Sequence, residues 1–164
     1  MMMEYNRWAN DRLFADCSGV PAEYLHRTTG AEYESVHKTL DHILLLDRLW
    51  LCRLRGRNHE FDSLHQTITS DFEELRTKRE IADEELTRYC HEITEARLCS
   101  IVRFKTLLEP AELEQTIGSA LLLLFHLQGH YRAQAQALLK MQGFATRALN
   151  LLTFQRQTGL GLIA

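Results

Sequence analysis

Glycine and proline are scarce, with eight and two in 164 residues. That scarcity excludes collagen-like, linker-rich and most turn-rich all-β architectures. Basic charge is not in excess either. Lysine plus arginine number 19 against 22 aspartates and glutamates, a formal net charge of −3. A dedicated DNA-binding surface, which neutralises many phosphates, is therefore disfavoured. No apolar run exceeds Ala120–Phe125, far below the ~20 residues that span a bilayer. The first residues show no secretory leader. The four cysteines Cys17, Cys52, Cys90 and Cys99 form no C-x-x-C pair, which excludes a zinc ribbon or thioredoxin-type motif. Their helical, leucine- or charge-rich surroundings predict buried free thiols. A cytoplasmic protein that binds neither nucleic acid nor membrane is the expectation. Glycine-rich phosphate loops and the G-x-S-x-G nucleophile elbow are also missing.

What remains is an ordinary globular composition, 45% hydrophobic and 25% charged, of a length that suits a single domain over 1–164. The apolar residues recur every three or four positions almost throughout, the mark of amphipathic helices. A first helix is predicted over Glu4–Cys17, with Gly19 supplying a left-handed cap and Pro21 a stop. A polar connection over Ala22–Tyr33 leads to Ser35, whose hydroxyl suits an N-cap. The second helix, about Ser35–Leu54, is apolar all round and closes at Gly56. Such a helix lies at a bundle centre or a subunit interface. A polar loop follows to Gln66. A charged helix is expected over Ser70–Arg97, then an irregular or short extended segment over Leu98–Leu108, with Pro110 beyond it. The last long helix is expected over Ser119–Gln142, ending at Gly143, and a short helix over Thr146–Thr158. Four long helices without extensive strands define an all-α four-helix bundle.

Chemistry, if present, lies with histidine. His26, His59 and His65 fall in polar connections, and His37 and His91 among charged helix residues. His126 and His130 are spaced i, i+4 on the leucine-rich last helix, a spacing that lets two imidazoles share a divalent metal. His42 lies in the most apolar helix, where an imidazole needs a hydrogen-bond partner or a metal. Asp47 shares the apolar side of that helix and requires a buried partner, best an arginine from another helix.

Three stretches together resemble the DinB superfamily of bacterial helical bundles. Tyr5–Asn10 resembles the opening of its first helix. Thr39–Trp50 resembles the second-helix motif in which a histidine is followed by Asp-Arg and a tryptophan. Phe125–Gln134 resembles the last-helix motif that supplies two further histidines. The resemblance implies a four-helix bundle, often a homodimer, with a divalent metal such as Zn or Ni held by three histidines. It also implies metal-dependent thiol transfer or hydrolysis on a small molecule. The family name reflects induction by DNA damage. His42 matches the second-helix ligand. Anchoring on Arg132 and Gln134 places the two other ligand positions at Leu127 and Tyr131, while His126 and His130 stand one residue off, a rotation of about 100°. Either a shifted helix rebuilds a site from His42, His126 and His130, or the metal is lost. In the second case the bundle is non-catalytic, a small-molecule-binding or structural dimer, and Tyr131 fills the vacated place and hydrogen-bonds His42.

Overall fold

The computed structural model describes residues 1–108 and 111–163; Pro110 lies outside them. In chain order the elements are α1 (Met2–Cys17), α2 (Ala22–Leu25), α3 (Val36–Leu54), α4 (Phe72–Glu92), α5 (Glu95–Leu98), β1 (Ile101–Lys105), β2 (Glu112–Thr116), α6 (Ile117–Met141) and α7 (Leu151–Thr158). The long helices α1, α3, α4 and α6 form the bundle. α1 and α3 each pack against both α4 and α6 and so stand diagonally opposed.

Local signals explain most boundaries. The Ser35 hydroxyl accepts from the Lys38 amide at 3.2 Å and opens α3. Asp71, Thr116 and Asn150 cap α4, α6 and α7 in the same way, each satisfying an amide that the helix leaves unpaired. Gly56 (φ 64°) and Gly143 (φ 89°) take the left-handed conformation just past α3 and α6. Gly19 does not; α1 ends instead through an ordinary right-handed Ser18.

The predicted third helix is two helices. The chain turns extended at Ile93 (ψ 132°), and the Thr94 side chain accepts from the Arg97 amide, starting α5 afresh. β-branched residues lose rotamer freedom in a helix, and a threonine hydroxyl competes for backbone amides, so this pair is a natural break. The expected extended segment is β1. Its partner β2, antiparallel with Ile101 opposite Thr116 and Lys105 opposite Glu112, was not expected. Glu112–Thr116 is polar and carries little strand propensity of its own; the ladder holds it. The last helix begins only at Leu151, because Thr146–Asn150 runs as an irregular strap.

The core follows the helix faces. Leu13, Leu40, Leu44, Leu75 and Ala135 are fully buried in one cluster. Leu54, Leu86, Ile117 and Leu124 fill a second toward the hairpin. Along α3 nearly every residue is buried, including His37, Asp41, His42 and Asp47. The bundle-centre reading accounts for this within one chain, since α3 meets α2, α4, α6 and β1. Of the cysteines only Cys17 is fully buried, with burial pushing its thiol up to about 12; Cys99 is exposed. No helix among the described residues is long and apolar enough to cross a membrane.

Candidate functional site

A polar network crosses the middle of this apolar bundle. Arg79 of α4 lies 2.5 Å from an Asp47 carboxylate oxygen and 3.0 Å from Asp83, and all three residues are buried. The Gln128 amide donates to the other Asp47 oxygen at 2.6 Å and to the Ile43 carbonyl. Asn10 donates to Asp83 at 3.0 Å. Arg132 donates to the Asn6 and Asn10 side-chain oxygens at 2.6 and 2.9 Å. The arginine expected for Asp47 is thus Arg79. Burial raises the Asp47 pKa to about 6, and the neighbouring guanidinium only partly offsets it. The network ties α1, α3, α4 and α6 with two carboxylates and two guanidinium groups. Asn6, Asn10, Asp47, Gln128 and Arg132 all lie in the three stretches singled out in the sequence. Those stretches therefore encode bundle assembly as much as any site.

The histidines divide sharply. Gln128 and Arg132 point into the bundle, so residues two positions away are turned by about 200° on α6. His126 and His130 accordingly lie on the exposed side, beside Leu122 and Leu123. His130 contacts Gln134 at 2.9 Å. His42 is buried on α3. The three are not brought together, and no group of three or more His, Cys, Asp or Glu side chains suited to a metal occurs among the described residues. Leu127 has no donor atom, and Tyr131 presents a ring to His42. The donor set does not fit a three-histidine ion.

Around His42 the arrangement is aromatic. The Tyr33 ring stacks on the imidazole with centroids 3.9 Å apart and planes 20° apart. Tyr131 meets it edge-on at 4.5 Å and 80°. His65 also stacks on Tyr33, at 5.3 Å. His42 Nδ1 is 3.0 Å from the Leu64 carbonyl oxygen, which can only accept. That bond fixes the proton on Nδ1 and leaves Nε2 as an acceptor lone pair. Nε2 is buried and has no hydrogen-bond partner among the described residues. Tyr131 meets His42 through its ring and does not hydrogen-bond it; the bond goes to Leu64.

Burial drives the His42 pKa down to about 4, against a smaller upward pull from the Leu64 bond, so the ring is neutral at pH 7. Burial also raises both the Tyr33 and Tyr131 hydroxyls, which stay protonated. A cavity of about 240 Å³ opens here, lined by Glu32, Tyr33, Lys38, His42, His65 and Gln66 among others. The roof comes from the chain before α3 and the wall from the loop before α4. Asp41 anchors that wall by accepting from the Ile68 and Thr69 amides at 2.8 and 3.1 Å.

Tyr33 had no sequence signal beyond its place in a polar connection. Its position depends on a non-periodic turn in which Glu34 adopts φ 60°. The burial of His37, which stands among charged helix residues, had no sequence signal either. Its imidazole is buried and stacks on His26 at 4.4 Å.

Fold and network define a helical bundle whose helices are pinned through buried Asn, Asp, Arg and Gln side chains. The DinB family model matches residues 1–160, and the chain belongs to the DinB family. No curated protein matches the sequence significantly.

Proposed function

We propose that this chain is a metal-independent DinB family member whose His42 pocket binds a small molecule. The buried, unpartnered His42 Nε2 carries the reading. A buried acceptor without a partner loses its hydration without return, and a ligand O–H or N–H would supply the missing bond. The neutral imidazole suits that role, because a protonated ring would have no acceptor. Tyr33 lines the cavity beside His42 and gives a ligand an aromatic wall, as small-molecule sites do. The cavity has the volume of roughly eight waters at ~30 Å³ each, so the ligand is a small metabolite rather than a polymer. The thiol transfer or hydrolysis implied by the family resemblance calls for three ligands on one ion, and no step of it is assigned to these side chains.

Nitrogen NMR of the histidine rings tests this. His42 is expected as the neutral Nδ1–H tautomer from pH 5 to 8, and a bound small molecule should shift its Nε2 resonance. A His42 ring that titrates near the ordinary value of about 6.5 would contradict the reading.

A further inference from the structure

A second cavity, of about 450 Å³, lies between the loop after α3 and the hairpin. It is separate from the His42 pocket. Arg53, Arg57, Arg103 and Lys105 line it, together with His59 and Phe104, and none of its lining residues among those described is acidic. In a chain with net charge −3, such a concentration of one sign stands out. Arg103 is paired with Glu114. Lys105 faces Glu112 across the ladder without forming an ion pair, and Arg57 has none among the described residues.

Arg53 is the built part of the cavity. It is 9% exposed. Its guanidinium lies over Trp50 at 4.8 Å and over Phe104 at 4.5 Å. Nη2 donates to the Lys105 carbonyl at 2.9 Å, while Nε is buried with no acceptor among the described residues. Two aromatic faces and a backbone bond thus hold the planar fork in one place with donor capacity left over. A preorganised guanidinium is the side chain best matched to an oxyanion, and its buried donor lacks one.

We infer that this cavity is a binding site for a small phosphorylated anion, of the diphosphate class. Arg53, Arg57 and Lys105 form no ion pair among the described residues, so a single carboxylate would leave most of the charge unmatched. One phosphate monoester brings about −1.5 to −2 at pH 7, and a second phosphate brings more. Arg57 and Lys105, both exposed, would reach the outer oxygens, and Arg53 the inner ones.

Isothermal titration with pyrophosphate at low salt tests the site. One equivalent per chain is expected to bind with a Kd of about 1 mM or tighter. The affinity should fall as salt rises. In the double variant R57Q/K105Q the affinity should drop at least about tenfold, while the unfolding temperature without pyrophosphate stays that of the wild type. An ADP arm separates free from carrier-bound phosphate. Tighter binding of ADP assigns a carrier-bound diphosphate, and equal binding assigns the phosphates alone; both support the site. Absence of pyrophosphate binding, an undiminished affinity in the double variant, or equally tight binding of acetate would overturn it.

Discussion

Replacing Arg79 by methionine is expected to lower unfolding stability by about 3–5 kcal/mol, the range seen when one partner of a buried ion pair is removed. The variant leaves Asp47 and Asp83 in the bundle centre with no cation within contact distance. Neither can recover water without opening helix contacts. Against a whole-protein stability of about 5–15 kcal/mol, the variant should be close to unfolding at 37 °C. The double variant Asp47→Leu/Arg79→Met should be milder than Arg79→Met alone, because it removes one of the stranded charges together with its partner. Gln128 then loses one acceptor and keeps the Ile43 carbonyl. Urea unfolding of the wild type, both single variants and the double variant measures the coupling. Additive losses would show that the network is not a cooperative unit.

The second large effect is on acid stability. His42 has a folded pKa near 4, below its unfolded value of about 6.5. Between those pH values the unfolded chain binds more protons than the folded one. The contribution is therefore complete above about pH 6.5 and is lost as pH falls toward 4, by about 3 kcal/mol at 1.36 kcal/mol per unit. Buried carboxyls oppose this in wild type. Asp47, Asp41 and Asp83 are raised, so each gains relative stability as pH falls in an overlapping window. A difference isolates the imidazole. His42→Gln keeps an N–H for the Leu64 carbonyl and removes the titration. On going from pH 7 to 4, wild type should lose about 3 kcal/mol more than this variant. Parallel pH curves would show that His42 is not held neutral by the fold.

Much of the bundle was legible because its signals are local or periodic. Ser35 before an apolar stripe, Gly56 and Gly143 after one, and the helical recurrence of Leu40, Ile43 and Leu54 each specify structure without reference to distant residues. Asp47 was legible as a buried charge because its angle on the helix matches that of Leu40 and Leu51, although nothing local identified Arg79 as its partner. β2 was not legible, since Glu112–Thr116 is a strand only through its ladder to β1. Burial of His37 was hidden by its neighbours Glu34 and Lys38, which pair with each other at 2.5 Å on the outside of the bundle.

The candidate site was legible only by half. His42 was readable from its place in the most apolar helix and Tyr131 only from the family resemblance, while the opposite facing of His126 and His130 follows from helix phase once Gln128 and Arg132 are seen to point inward. Tyr33, which covers the imidazole, arrives on a turn with a positive φ and no repeating pattern. The Leu64 carbonyl that fixes the tautomer comes from a loop 22 residues further along the chain. Neither contact has a sequence signature.

On the proposed function, His42 serves a ligand as a neutral acceptor and does not anchor a metal ion. Metal content by plasma mass spectrometry tests it most directly. The protein should be purified without an affinity tag, incubated with excess Zn²⁺ or Ni²⁺, and desalted, beside the His42→Ala variant. Far less than one ion per chain, equal in wild type and variant, is the predicted result. Close to one ion per chain in wild type, lost in His42→Ala, would contradict the account.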